Sequence, residues 1–282
     1  MICRMGRSKR EHQSESKDVA VNLDSATVNL VCSIARAAGA AIMEIYNGEF
    51  NVELKGDQSP LTCADKASHE VIVAGLEKYF PGVPILSEEG AAIPYEERKT
   101  WKRFWLVDPL DGTKEFIKRN GEFTVNVALI EVDAPVMGVV YVPAQDRLYA
   151  GVVGKGAFVM QSAEVPAPIH VRPVHPDAGL TVVMSRSHPS PDLADYLKDI
   201  KVVEALPVGS SLKLCVVAEG KADLYPRLGP TMEWDTGAGQ AVVKAAGGSV
   251  NTLSGTDLLY NKEKLLNPHF IVKGNFELPS NI

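Results

Sequence analysis

The 282-residue sequence contains few cysteines, and their spacing matches no metal-binding or disulfide pattern. The four cysteines, Cys3, Cys32, Cys63 and Cys215, are scattered along the chain, and no Cys-x-x-Cys pair occurs. Structural zinc sites and disulfide frameworks both have recognisable cysteine spacings, so neither is expected here. The cysteine content therefore predicts a reducing, cytoplasmic location.

Long apolar runs are also missing. No uninterrupted run of 18 apolar residues occurs, so the sequence predicts no membrane-spanning segment. The chain begins with polar and basic residues, and no apolar stretch follows them that would make a signal peptide. Residues 1–22 are predicted to form a disordered extension, and weak peripheral contact with the cytoplasmic face of the inner membrane is the alternative.

An excess of positive charge is absent too. The net charge of −6 argues against binding of nucleic acid polymers. A local basic pocket is still compatible with this net charge. Hydrophobic residues make up 45% of the chain and charged residues 23%, as in ordinary globular proteins. The proline-rich passage from Pro166 to Pro176 predicts a connection between two domains, residues 23–172 and 173–282.

Hydrophobic periodicity predicts helices mixed with strands. Asp24 or Ser25 is predicted to cap a first helix, and Thr62 with Asp65 to open a second. Strands are predicted at residues 83–86, 104–107, 122–130, 137–142, 147–152, 157–160, 181–184 and 223–226. Further helices are predicted at residues 191–200, 211–219 and 234–246. This order predicts an α/β or α+β fold in which helices pack against two sheets.

One short stretch, Asp108-Pro109-Leu110-Asp111-Gly112-Thr113, follows an apolar run that is predicted to be a buried strand. Two carboxylates three residues apart repel each other unless a cation lies between them, and Mg²⁺ prefers such oxygen ligands. Gly112 would let the backbone approach an anion at the start of a helix. A simple turn is the alternative, because Asp-Pro and Asp-Gly are common turn dipeptides.

Three other carboxylates have similar local settings. Glu88 follows a short predicted strand, Asp65 lies in the first turn of the second helix, and Asp235 lies at the start of a late helix. Each has a simpler alternative, namely an exposed turn for Glu88, a capping box for Asp65 and a helix cap for Asp235. Together with the two aspartates above, they match what a multi-metal phosphate site requires.

Four motifs together resemble the magnesium-dependent, lithium-sensitive phosphatases of the inositol monophosphatase superfamily. The motifs span residues 57–65, 87–90, 108–113 and 234–239. The resemblance extends over about residues 25–275 and implies the layered αβαβα sandwich of the inositol monophosphatase and sugar phosphatase type. Within the superfamily, residues 105–130, 185–188, 209–213 and 225–227 are most similar to the bacterial 3′(2′),5′-bisphosphate nucleotidases.

This resemblance implies two Mg²⁺ ions as cofactors, with a third, weaker ion near Glu88 as an alternative. The implied ligands are Glu88, Asp108 and the Leu110 carbonyl for one ion, and Asp108, Asp111 and Asp235 for the other. The scissile phosphate would lie against the backbone amides of Asp111, Gly112 and Thr113. Thr113 and Asp65 would orient the attacking water and accept its proton, and Glu89 would steady Glu88.

The resemblance also implies a small-molecule nucleotide substrate. Lys213 and Arg227 would contact the phosphate that is not cleaved, His188 would lie beside the base or sugar, and Ser210 would contact the nucleotide as well. The simpler alternatives are surface charges and, for Ser210, a plain helix cap.

The implied reaction removes the 3′-phosphate of adenosine 3′,5′-bisphosphate and recycles a by-product of sulfur assimilation. One alternative is a phosphatase that acts on inositol 1-phosphate or another sugar phosphate, and the other is a non-catalytic nucleotide-binding regulator. Both a monomer and a homodimer are compatible with the sequence.

Overall fold

The computed structural model describes residues 19–48, 60–162, 164–174, 179–187 and 192–278, with the side chains of residues 60 and 61 excluded. Within these ranges the helices are α1 (Ser25–Tyr46), α2 (Pro60–Tyr79), α3 (Tyr95–Arg98), α4 (Thr113–Ile117), α5 (Leu193–Leu197), α6 (Leu212–Ala218) and α7 (Glu233–Ala245), with a 3-10 turn at Pro143–Gln145. The strands are β1 (Ile85–Ser87), β2 (Arg103–Asp111), β3 (Thr124–Glu131), β4 (Ala134–Val142), β5 (Arg147–Val152), β6 (Gly156–Gln161), β7 (Ala167–Ile169), β8 (Leu180–Ser185), β9 (Val202–Val208), β10 (Leu224–Arg227), β11 (Ser249–Thr252) and β12 (Phe270–Lys273).

The described strands form two sheets. Sheet 1 contains β1 to β7 in chain order, and sheet 2 has the order β11-β12-β10-β8-β9. In sheet 1, β1 and β2 pair in parallel, and the pairs from β2 onward are antiparallel. In sheet 2, β8 pairs in parallel with β9 and β10, while β12 pairs antiparallel with β10 and β11.

Alternation of side chains along the strands divides the core into layers. Trp105 and Val107 of β2 face the first layer and pack with residues of α1 and α2. Leu106 lies on the other face of β2 and packs with residues of α6, α7 and sheet 2. Helix α5 packs through Leu197 against the outer face of sheet 2. The order of layers is therefore helix, sheet, helix, sheet, helix, which confirms the predicted αβαβα sandwich.

Local sequence explains how the two long helices begin. Asp24 caps α1, because its Oδ1 accepts a hydrogen bond of 2.9 Å from the amide of Thr27, as predicted. Helix α2 begins at Pro60, a residue favoured at a first helical position. Thr62 and Asp65 therefore lie inside the helix, and the capping-box interpretation of this pair is wrong.

Helix α1 is long and apolar enough to cross a membrane by length and a mean hydropathy of 1.5 alone. Its apolar face is nevertheless buried against sheet 1 and α2, with Val31, Ala35, Ala38 and Ile42 fully enclosed. The same residue composition suits a core helix, and α1 is one in this fold.

Several boundaries differ from the sequence prediction. Strand β2 continues through Asp111 instead of ending before Asp108. Strand β7 lies in the proline-rich passage that was predicted to be a connection, with Pro168 in the last strand of sheet 1, where a missing amide donor is tolerated. The sequence predicts that residues 19–22 belong to a disordered extension, but the carbonyl of Val19 accepts a hydrogen bond of 2.9 Å from Arg103 and its side chain packs on the core.

Candidate active site

A β-bulge places Asp108 and Asp111 on the same face of sheet 1. Asp108 lies opposite Asn126 of β3, and Asp111 lies opposite Thr124, so β2 has one more residue than β3 between these two pairs. Residues three apart on a regular strand would point to opposite faces, but the extra residue reverses this alternation. Both aspartates therefore point toward the layer between the two sheets, as Leu106 does.

Glu88 reaches this place because β1 runs parallel to β2. The last paired residues are Ser87 and Val107, and the amide of Glu88 then donates a hydrogen bond of 3.1 Å to the carbonyl of Val107. Glu88 therefore leaves its strand beside Asp108, in agreement with the prediction that a carboxylate follows a strand here. The exposed-turn interpretation is also correct in part, because Glu88 lies on an exposed turn at the edge of the site.

Two helices contribute the remaining carboxylates. Asp235 is the third residue of α7, and its Oδ2 accepts a hydrogen bond of 2.9 Å from the amide of Met232, the N-cap residue. The helix-cap interpretation of Asp235 is therefore correct in the form of a capping box. Asp65 lies in α2, and its buried Oδ1 has no hydrogen-bond partner. A buried carboxylate oxygen without a protein partner is available to a bound cation or water molecule.

Apart from α2, these elements border one cavity of about 820 Å³. Ten of the predicted site residues line it, namely Glu88, Asp108, Leu110, Asp111, Gly112, Thr113, Ser210, Lys213, Arg227 and Asp235. Asp65 does not line the cavity, but it lies close enough to Glu88 and Asp111 for their charges to raise its pKa. His188 and residues 57–59 of the first motif lie outside the described residues.

The carboxylates raise one another's pKa values. Loss of solvation, followed by repulsion from Glu89, Glu88 and Asp111, raises the pKa of Asp65 to about 8. Loss of solvation and repulsion from Asp111 raise the pKa of Asp235 to about 8 as well. The pKa of Asp108, which is 1% exposed, is also raised, first by burial and then by its acidic neighbours. The same two causes raise the pKa of Glu88.

Such a cluster is unfavourable in the ionised state unless positive charge is bound to it. Among the described side chains, no three acidic, histidine or cysteine residues are grouped tightly enough to hold an ion as they stand. The donor set still fits a hard divalent cation, because it consists of carboxylate oxygens and includes the unpartnered Oδ1 of Asp65. Small movements of the side chains onto an ion would relieve the repulsion.

Gly112 has a conformation that other residues rarely adopt. Its φ is +99°, and a Cβ atom there would lie 3.1 Å from the Cβ of Ser210. A side chain at this position would therefore be strained and would crowd the segment that carries Ser210. The glycine lets β2 turn directly into α4, which begins at Thr113 on the edge of the cavity.

The opposite side of the cavity carries positive charge. Lys213 is buried, its Nζ donates a hydrogen bond of 2.6 Å to the carbonyl of Ser210, and burial lowers its pKa to about 8. Arg227 ends β10, where its Nη2 donates a hydrogen bond of 2.9 Å to the carbonyl of Pro230 and its buried Nε has no partner. Both cations therefore keep donors available at the cavity.

The plain helix-cap interpretation of Ser210 is wrong. Ser211 occupies the N-cap of α6, while Ser210 has a positive φ of 41° and its hydroxyl donates to the carbonyl of Glu122. The sequence analysis missed three residues of the site. These are Ser211 and Asn126, which contact each other, and the buried Glu115 at the cavity. The alternation of β3 could have indicated Asn126, because this polar residue falls on the inward face with Ala128.

The chain is similar to characterised phosphatases over most of its length. The 3′(2′),5′-bisphosphate nucleotidase CysQ of Escherichia coli is 50% identical over 245 residues, which cover 86% of this chain and 97% of that protein. CysQ of Haemophilus influenzae is 35% identical over 257 residues, covering 90% and 95% of the two chains. The crystal structure of CysQ from Bacteroides thetaiotaomicron, described as a bacterial member of the inositol monophosphatase family, aligns with a TM-score of 0.81 and 44% identity, covering 89% of this chain and 98% of that one.

The sequence profile of the inositol monophosphatase family matches residues 24–277. This range includes the bulged strand, the turn at Glu88 and the start of α7, and thus the elements that bring the carboxylates together. The chain therefore belongs to the inositol monophosphatase family.

Proposed function

We propose that this enzyme is a metal-dependent phosphomonoesterase that removes the 3′-phosphate of adenosine 3′,5′-bisphosphate and yields AMP and phosphate. The nucleotidase activity of relatives with about 50% identity supports this function. The observation that carries the proposal is the division of charge in one cavity, where carboxylates lie on one side and Lys213 and Arg227 on the other. A bisphosphate needs both, namely a hydrolytic site for one phosphate and cations for the second.

The carboxylate side is proposed to bind Mg²⁺. Glu88, Asp108 and the Leu110 carbonyl would hold one ion, and Asp108, Asp111 and Asp235 a second, with a third near Glu88 as an alternative. When bound, such ions polarise phosphoryl oxygens and increase the acidity of water. The raised pKa values of Asp65, Glu88, Asp108 and Asp235 support this assignment, because all four groups favour a partner of positive charge.

The protein groups around the phosphate have separate roles in this proposal. The backbone amides of Asp111, Gly112 and Thr113 would donate hydrogen bonds to the scissile phosphate. The Thr113 hydroxyl would orient the attacking water, and Asp65 would accept its proton. A raised pKa makes Asp65 a stronger base than an ordinary carboxylate, which suits a proton acceptor. Glu89, which contributes to that raised pKa, would steady Glu88 from outside.

The cationic side is proposed to select the nucleotide. Arg227 carries a buried Nε without a partner, and Lys213 is fixed over the ring of Tyr225 at 5.7 Å. These donors would bind the phosphate that is not cleaved, with Ser210 beside them and His188 near the base or sugar. A phosphatase for inositol 1-phosphate would have no second phosphate to bind there.

A comparison of kcat/KM for adenosine 3′,5′-bisphosphate and inositol 1-phosphate tests the proposal. The bisphosphate is expected to be preferred by at least about 100-fold, since losing charged hydrogen bonds to a second phosphate costs about 3 kcal/mol. Equal values for both substrates would favour the sugar-phosphate alternative. Binding of the bisphosphate without phosphate release in the presence of Mg²⁺ would favour the non-catalytic nucleotide-binding regulator. The sequence argues against this alternative, because all the expected acidic positions are filled.

The remaining expectations are also proposals. We infer a functional division at residues 172 and 173, because sheet 1 supplies Asp108 and Asp111 and the later part supplies Lys213 and Arg227. Asp235 crosses this division, since α7 packs on the inner face of sheet 1. A cytoplasmic location is supported by the free thiols of Cys32, Cys63 and Cys215.

A further inference from the structure

Ser211 makes two hydrogen bonds to one carboxylate oxygen of Asp111. Its backbone amide donates to Asp111 Oδ2 at 2.6 Å, and its hydroxyl lies 2.7 Å from the same atom. Within the described part of the chain, the hydrogen bonds to the Asp111 carboxylate all end at this oxygen. The carboxylate is therefore held at Oδ2, and Oδ1 is left for another ligand.

The serine does not serve its usual purpose at this position. Ser211 is the N-cap residue of α6, yet its side chain makes no capping hydrogen bond. A serine at an N-cap normally bonds to an amide in the first turn of its helix. Here the hydroxyl is directed away from α6 toward β2, although the residue is only 1% exposed and a cap would be the simplest way to satisfy it.

A third residue limits where the hydroxyl proton of Ser211 can go. Asn126 Nδ2 donates a hydrogen bond of 2.9 Å to Ser211 Oγ, so the hydroxyl acts as an acceptor there. Its single proton can then go to Asp111 Oδ2 or to the carbonyl of Asp235, which lies 2.6 Å away. Of these two acceptors, only Asp111 Oδ2 also receives the Ser211 amide, so the amide and the hydroxyl converge on this carboxylate oxygen.

We propose that Ser211 is a positioning residue which, oriented by Asn126, holds the Asp111 carboxylate in the direction required for cation binding. The inference rests on the proposed function, because it takes Asp111 as a metal ligand. It goes further in assigning a role to a hydroxyl at the wall of the cavity through its contact with Asp111. It also connects the segment that carries Ser210 and Lys213 to the carboxylate side of the cavity, since Ser211 lies between them.

The test measures the affinity of the protein for Mn²⁺, without nucleotide, by electron paramagnetic resonance titration of the free ion. Ser211→Ala is expected to bind Mn²⁺ about tenfold more weakly than the wild type, the usual loss when a supporting partner of a metal ligand is removed. Thr124→Val is the matched control. Thr124 lies opposite Asp111, is fully buried, and its hydroxyl has no hydrogen-bond partner. The Mn²⁺ affinity of the Thr124→Val variant is therefore expected to equal that of the wild type.

A second pair of variants separates the hydroxyl from the packing around it. Ser211→Thr and Ser211→Val add similar volume, but only threonine retains an Oγ that can donate. The Ser211→Thr variant is expected to bind Mn²⁺ at least about tenfold more tightly than the Ser211→Val variant. This comparison stays valid even if both variants are less stable than the wild type, because the strain of the added methyl group is shared.

The outcomes separate the two proposals. Equal Mn²⁺ affinity for the wild type, Ser211→Ala and both larger variants would overturn the role of Ser211 and leave the metal site intact. Wild-type protein that binds Mn²⁺ no better than Asp111→Asn would overturn the proposed metal site, and the role of Ser211 with it. A loss of affinity in Thr124→Val as large as in Ser211→Ala would show that any change in this region has the effect, which also overturns the specific role.

Discussion

Glu122 and Arg186 form a bidentate ion pair between the segment that precedes β3 of sheet 1 and the segment that follows β8 of sheet 2. Arg186 Nε and Nη2 each donate a hydrogen bond of 2.8 Å to one carboxylate oxygen of Glu122. The same carboxylate accepts a hydrogen bond of 2.7 Å from the amide of Gly209, and the backbone carbonyl of Glu122 accepts from the hydroxyl of Ser210. Glu122 thus fixes the segment from Gly209 to Ser211, on which both sides of the candidate site depend.

Substitution Glu122→Ala is therefore expected to weaken nucleotide binding from outside the cavity. KM for adenosine 3′,5′-bisphosphate should rise about fivefold, since a partly exposed charged hydrogen-bond pair contributes only about 1 kcal/mol. Steady-state kinetics measure this effect. Glu131→Ala is the matched control, because Glu131 pairs with Arg103 on sheet 1 and makes no contact with residues 209–211. A similar change of KM in both variants would contradict the role of Glu122.

Substitution Asp108→Asn is expected to reduce kcat by about a thousandfold or more, because Asp108 is proposed to contact both metal ions. The metal-free variant should be more stable than the metal-free wild type, since one buried, mutually repelling carboxylate has been removed. Thermal unfolding in EDTA and in Mg²⁺, followed by circular dichroism, measures the second effect. Mg²⁺ is expected to raise the Tm of the wild type only. An active variant would refute the bridging role.

Substitution Arg227→Ala is expected to affect the two substrate classes unequally. For adenosine 3′,5′-bisphosphate, kcat/KM should fall between about tenfold and 100-fold, the value of charge-assisted hydrogen bonds to a phosphate. For inositol 1-phosphate the change should stay below about threefold, because no second phosphate reaches the guanidinium. Equal losses on both substrates would remove Arg227 from the nucleotide pocket.

The lowered pKa of Lys213 predicts a specific pH dependence. Burial lowers the pKa from 10.5 to about 8, so the free enzyme loses this positive charge as the pH rises through 8. Above that pH, kcat/KM for the bisphosphate should fall relative to kcat/KM for inositol 1-phosphate, by at most about tenfold per pH unit. Lys213→Arg, which stays charged, should keep its activity to higher pH. Inositol 1-phosphate should show no such decline, and identical profiles for the two substrates would contradict the assignment.

Much of the fold could be predicted from the sequence, because it depends on local pattern. Asp24 as a helix cap, the antiparallel strands β4 to β6 and the helices α6 and α7 follow from capping chemistry and hydrophobic periodicity. Strands β9, β11 and β12 were not predicted, since they are short or exposed, and their pairing partners are distant in sequence. Each of the four acidic motifs was recognisable because the residues within that motif lie close together along the chain.

The sequence by itself determined which side chains are available, namely the acids of β2, α2 and α7, the turn at Glu88, and the cations Lys213 and Arg227. The tertiary structure alone decided that these side chains, Asp65 excepted, line one cavity. Asp108 and Asp111 point the same way only because pairing with β3 creates a bulge, and no rule of residue spacing within β2 predicts it. Ser211 supports Asp111 across 100 residues of sequence, because the packing of α6 against sheet 1 brings its hydroxyl there. Such contacts depend on the register between elements, which local sequence does not specify.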